Sequence, residues 1–141
     1  MDFSTSFKIC GSGLAAQRAK MDVISSNLAN VDTTRTEGGG PYKKKMVTLT
    51  AESVESHFDS AIKDALKTVK VEGITEDPNA VKTVYDPAHP DADANGNVAM
   101  PNINVVTEMA DMIMASRAYE ACVTAFDATK NMTLKTLEMG R

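Results

Sequence analysis

Along residues 3–31, apolar side chains recur at alternating steps of four and three: Phe3, Phe7, Cys10, Leu14, Gln17, Met21, Ile24, Leu28 and Val31, with only Gln17 polar. That spacing predicts a helix with a narrow coiled-coil seam rather than the broad apolar stripe of a helix laid on a globular core. Ser4 or Thr5 is expected to cap its start. Gly11, Gly13, Ala15 and Ala16 fall in the same stretch. Each glycine costs a helix about 1 kcal/mol relative to alanine, so their presence implies that another backbone comes close. The last segment repeats the pattern through Val105, Met109, Met112, Ser116, Tyr119, Val123, Phe126, Lys130, Thr133 and Leu137, weakening after Phe126. Pro101 and Asn102 or Asn104 should start this helix, Glu108 and Asp111 suit its positive end, and Gly140 is placed to stop it.

Between the two seams the pattern changes. "EGGGPYKK" is rich in turn residues, "YKKKMVTLT" alternates like a half-buried strand, and "KTVKVEGI" and "AVKTVYDP" read as two more strands separated by "TEDPN". Val54, Phe58, Ile62 and Leu66 recur every four residues, predicting an amphipathic helix. The expected organisation is thus an N-terminal helix and its stop (residues 1–34), a central insert (35–101) whose strands form one small sheet, and a C-terminal helix (102–141). The fold class is mainly α with a small β insert, the long terminal helices forming an antiparallel coiled-coil-like pair.

The first helix runs into "SSNLANVDTTRT", residues 25–36, and stops among polar side chains with no glycine before Gly38. Asn tolerates the left-handed backbone of a helix terminus, Asp32 can close an Asx-turn, and an amide both donates and accepts. Asn27 and Asn30 could therefore cap their own helix and also offer a group to a neighbour. A plain cap and turn with no role between molecules fits the same residues.

The chain has 141 residues, which suits one domain, and no stretch approaches the roughly 20 apolar residues of a membrane span, so a soluble protein is expected. "MDFSTSFKIC" is acidic where a secretory signal is basic, so export would need another route. A net charge of −4, with Lys43, Lys44 and Lys45 as the only dense basic run, argues against nucleic acid; a strand with solvated lysines accounts for that run. Nine methionines, concentrated towards the C-terminus, and aromatics at only 5% favour an adaptable contact surface over a rigid core. Each terminal helix, buried on one side only, is marginal alone, so folding should be completed in an assembly.

Candidate chemistry is sparse. Asp91, Asp93, Asn95 and Gly96 open like an EF-hand calcium loop, but Asn102 stands where a bidentate Glu belongs, and a polar turn is the better reading of residues 91–97. His57 and His89 have no close ligand-spaced partner. Gly38, Gly39 and Gly40 are followed by Pro41, not by a phosphate-loop Lys. No catalytic residue, metal or cofactor is expected. Cys10 and Cys122 fit neither a disulfide framework nor a zinc site. With the helix ends aligned, residue 122 would lie opposite residues near 20, roughly 15 Å from Cys10 along the axis, so no bridge is expected.

"SGLAAQRAKMDVISSNLANVDTTRT", "GGPYKKK", "VYDPAHPDADANGNVAMPNINVVTEM" and "MIMASRAYEA" closely resemble the bacterial flagellar basal-body rod proteins, and within them the short proximal-rod branch. Only about residues 51–68 fall outside the resemblance. It implies a structural subunit, exported unfolded by the flagellar type III apparatus without a cleaved signal and polymerised helically into the periplasmic drive shaft. The terminal helices would form the inner coiled-coil layer and the insert would decorate the outside. The implied partners are copies of the chain, other rod proteins and the export apparatus, with no nucleic acid and no small-molecule substrate. The residues assigned to assembly are Leu14, Met21, Ile24, Asn27, Leu28 and Asn30 from the first helix, and Met109, Met112, Arg117, Tyr119, Val123 and Phe126 from the last. Ser26 and Cys122 stand where the family often has Asn, and Asp32 likewise. Competing classes are a calcium-responsive module using the 91–97 loop and a coiled-coil adaptor that stays in the cytoplasm.

Overall fold

The computed structural model describes residues 3–53 and 66–140. Their order is α1 (Phe3–Ala29), β1 (Lys45–Ser53), β2 (Lys67–Glu76), β3 (Val81–Tyr85), β4 (Asn97–Pro101) and α2 (Val105–Met139). Two long helices with a small β insert between them make the chain mainly helical. No described helix is long and apolar enough to cross a membrane. The helix expected from Val54, Phe58, Ile62 and Leu66 lies outside the described residues, except Leu66, which directly precedes β2.

The helix starts differ in how they are made. Asn104 caps α2, its side-chain oxygen accepting from the amides of Val106 and Thr107. Ser4 and Thr5 lie inside α1, which is already helical at Phe3. Gly140 ends α2 with φ −88°, an ordinary conformation that any residue can adopt. The polar stop of α1 is a true cap in part: Asn30 Nδ2 donates to the carbonyl of Ser26 at 2.8 Å, one turn back, and Asn30 Oδ1 accepts from Thr33 at 3.2 Å.

The insert forms two separate antiparallel hairpins, not one sheet. β1 pairs with β2, Lys45 opposite Glu76 and Ser53 opposite Lys67, and the register slips between Thr48 and Leu49. Thr48 faces Gly73 and Leu49 faces Val71, leaving Glu72 as the extra residue of a bulge beside a glycine that offers no side chain to pack. β3 pairs with β4, Val81 opposite Pro101. Separation follows from the "TEDPN" turn: Asp77 donates to the Lys44 carbonyl, Ala80 donates back to Asp77, and Pro78 has no amide for a ladder. β4 and Asn102 then return past Ala80, whose carbonyl accepts from the Asn102 amide at 2.7 Å.

The helices run antiparallel. Asn27 meets Glu108, Gly13 lies against Cys122, and Phe7 meets Phe126 edge-on with ring centroids 4.9 Å apart. Residue 122 is therefore opposite Gly13 rather than residues near 20, because α2 overruns the start of α1. The rotation also differs from the sequence pattern. Gly13 and Asn27 are two heptads apart, as are Glu108 and Cys122, so these small and polar positions meet across the pair, with Ala115 buried on the α2 row and Ala16, Val23 and Ile24 buried on α1. Leu14, Met21 and Leu28 on α1, and Met109 and Val123 on α2, sit one residue further round. Periodicity assumes one partner per helix, whereas α1 has two within its chain: α2, and the β1–β2 hairpin, whose Val69 amide donates to Ser12 Oγ at 3.2 Å.

Close approach at Gly13 has a measurable consequence. A Cβ on Gly11 would meet nothing within 4 Å, but one on Gly13 would lie 3.2 Å from Cys122 Sγ. Gly11→Ala should therefore stabilise the isolated chain by about 1 kcal/mol through helix propensity, and Gly13→Ala by clearly less. Urea titration of the two variants in parallel checks this; equal gains would show that Cys122 moves aside freely.

Candidate functional site

The polar residues that end α1 converge with the insert and the first turn of α2 on one buried node. Asn27 is 1% exposed and Glu108 2% exposed. Asn27 Nδ2 donates to the Lys45 carbonyl at 2.9 Å and to Glu108 at 3.1 Å. Its Oδ1 accepts from the Lys45 amide at 3.0 Å and from Tyr42 Oη at 3.1 Å. A primary amide has two donors and two acceptor sites, so all four are used. The amide orientation is fixed, because the Lys45 N–H can be met only by oxygen. Tyr42 spends its one proton on Asn27, so Ser26 Oγ, 3.1 Å away, donates to Tyr42.

Glu108 also takes Lys44 Nζ at 2.8 Å, closing the node with a charge pair in which only the lysine reaches solvent. A buried carboxylate is tolerated only with such partners. Lys44 is thus a structural cation rather than a solvated strand residue. Its neighbours alternate outward: Lys43 pairs with Glu76 at the surface, and Lys45 Nζ lies 5.7 Å from the centroid of the Tyr42 ring. Sequence patterning assigned Glu108 to the helix end alone and gave Tyr42 and Lys44 no role. The available signal was an acid in the first turn of a seam helix, on the row that turned inward.

The residues assigned to assembly separate into three groups. Asn27 and Ile24 are buried within the chain, and Asn30 caps. Met21, Met112 and Tyr119 come together in an open groove between the helices, edged by Arg18, Asp22 and Ser25. Leu14 and Leu28, one heptad either side of Met21, share its face and are half-buried, as is Phe126 against Phe7. Met109 is 54% exposed, and Val123 and Arg117 also face solvent. Exposed apolar side chains continue along α2 at Val106, Ile113, Leu134 and Leu137.

The 86–97 turn spends its acids on hydrogen bonds within the turn and to Thr34. Asp86 accepts from the Ala88 amide, Asp93 from Ala94, and Asp91 from the Thr34 hydroxyl at 2.8 Å. His89 Nδ1 accepts from the Asp91 amide. Among the described residues, no group of three or more His, Cys, Asp or Glu side chains is arranged to hold a metal. His57 lies outside the described residues.

The chain is an antiparallel pair of terminal helices, clamped by an amide at the end of the first and flanked by an apolar groove. Comparison with known proteins gives its class. Residues 8–35 match the family described as "Flagella basal body rod protein", and residues 94–139 match "Flagellar basal body rod FlgEFG protein C-terminal". Asn27 and Glu108 lie inside those two segments; Tyr42 and Lys44 lie between them. The chain is 46% identical to the flagellar basal-body rod protein FlgC of Bacillus subtilis (96% of this chain, 97% of that one), 42% to that of Salmonella typhimurium (96% of each) and 40% to that of Borreliella burgdorferi (94% and 93%). The chain belongs to the FlgC family of flagellar basal-body rod proteins. It is a structural rod subunit of the flagellar basal body, and the calcium-module and cytoplasmic-adaptor readings have no support from these relatives.

Proposed function

We propose that the subunit polymerises by receiving a helix of a neighbouring subunit in the groove between α1 and α2, building a coiled-coil layer that transmits torque along a periplasmic rod. The observation that carries this is the rotation of the helix pair. Gly13, Asn27, Glu108, Ala115 and Cys122 take part in the contact within the chain, with Val23 and Ile24 buried, while Leu14, Met21, Leu28, Met109, Met112, Tyr119 and Val123 are left half-buried or exposed. Apolar side chains kept at heptad spacing and only partly spent internally suit knobs-into-holes contact with another helix. Neighbours would be other copies and other rod proteins. The chain would reach them by export through the flagellar apparatus without a cleaved signal, since the subunit's marginal helices permit transport unfolded.

Met109→Lys combined with Ile113→Lys tests this. Both side chains are more than half exposed, at 54% each, so the isolated fold should survive, with a circular dichroism spectrum and urea midpoint close to the parent. Purified basal bodies from cells carrying only the variant should lack the subunit. Normal incorporation of the doubly substituted chain would show that this side of α2 is not an interface.

A further inference from the structure

We propose that Cys10 and Cys122 form an oxidative cross-linking site, in which a small disulfide oxidant joins α1 to α2 within one chain. Both are free thiols and both are partly open to solvent. The stagger of the helices brings them near one another. Cys122 Sγ lies in the hollow left by Gly13, 3.2 Å from where a Cβ on that residue would be. Cys10 is one turn before Gly13, and residues three apart on a helix hold their Cβ atoms about 5–6 Å apart. One further turn back, Phe7 touches Phe126, which follows Cys122 by one turn. Cys10 is thus bracketed on α1 by two residues whose partners on α2 are Cys122 itself and its i+4 neighbour. Cys10 stands three residues, about 4.5 Å of axial rise, from the level of Gly13. A bridge needs Cα atoms within about 7 Å, and a glycine at the contact lets the two backbones approach.

The chemistry is thiol–disulfide exchange. One cysteine thiolate attacks oxidised glutathione, forming a mixed disulfide and expelling glutathione thiolate. The second cysteine thiolate then attacks the protein sulfur of that mixed disulfide, expelling the second glutathione. Two electrons pass from the cysteines to the oxidant, and each cysteine gives up one proton. The bridge would staple the end of the helix pair remote from the Asn27 node, enclosing the whole insert in the closed loop. This inference rests on the helix register alone and does not depend on the groove being an interface.

The experiment is incubation of the dilute, full-length chain with oxidised glutathione, followed by intact-mass measurement and peptide mapping without reduction. The expected product is about 2 Da lighter, contains a Cys10–Cys122 linked peptide, forms at a rate independent of protein concentration, and unfolds about 10 °C higher than the reduced chain. Cys10→Ser and Cys122→Ser should each abolish it, leaving a single glutathione adduct on the remaining thiol. Two stable glutathione adducts on the parent chain, or disulfide-linked dimers only, would overturn the proposal.

Discussion

Asn27→Asp is expected to lower the stability of the isolated chain by about 3–5 kcal/mol, although it changes scarcely any volume. The carboxylate keeps the two acceptor sites that meet the Lys45 amide and Tyr42, but it loses both donors. The Lys45 carbonyl is left without its partner, and a second negative charge is placed about 3 Å from Glu108, where one lysine now serves two buried acids. Against a total of about 5–15 kcal/mol for an ordinary domain, such a loss leaves a large unfolded fraction. Asn27→Ala should cost somewhat less, because water can enter the vacated space and bridge the orphaned groups. Glu108→Gln should cost less again, since one amide oxygen still accepts while its NH2 is turned donor against donor. Urea titration followed by far-ultraviolet circular dichroism ranks the three. If Asn27→Asp loses under 1 kcal/mol, the node does not hold the insert to the helices.

The order of those costs explains why the helix ends in Asn rather than Gly. A glycine could terminate α1, but only an amide can donate to a strand carbonyl and a buried acid while accepting from the strand amide and a tyrosine. The interplay settles the two readings of the "SSNLAN" stretch unequally. Asn30 is a cap, bonded to Ser26 and Thr33. Asn27 is not, and its hydrogen-bonding capacity is consumed inside its own chain.

The two terminal helices, a start of α2 at Asn102 or Asn104, and the strands at Lys67 and Val81 were legible because periods of 3.6 and 2 and a capping side chain are local signals. The rotation of the helices was not. It is set at Asn27 and Glu108, 81 residues apart, by bonds that also involve Lys44 and Lys45 from the insert. Counting apolar residues predicted that one seam would face the chain's own partner helix. Of that seam Phe7, Ile24 and Phe126 do turn inward and Met21 meets Met112 and Tyr119 in the groove, whereas Met109 and Val123 are exposed and Gly13, Asn27, Glu108, Ala115 and Cys122 join the contact. The division into two hairpins was likewise hidden, since it depends on Asp77 reaching back to the Lys44 carbonyl and not on strand propensity.

Phe126→Asp is expected to abolish assembly while sparing export. Phe126 meets Phe7 edge-on and lies half-buried on the seam of α2, so the variant loses about 2–3 kcal/mol of apolar burial and about 1 kcal/mol of ring contact. In an isolated chain the aspartate can turn towards water, and the node at the far end of the pair still holds α1 to α2, so a weakened but folded monomer should remain. In a polymer the same position would be covered, and the penalty of an unpaired buried charge, several kcal/mol more, would recur in every subunit. Transport of an unfolded chain does not sense either cost. Cells carrying only the variant should therefore release it from the cytoplasm, contain no completed rod or hook in basal-body preparations, and fail to swim. Phe7→Leu, which keeps an apolar side chain against Phe126, should retain motility. Swimming by Phe126→Asp cells at the parental rate would show that this row of α2 carries no assembly contact.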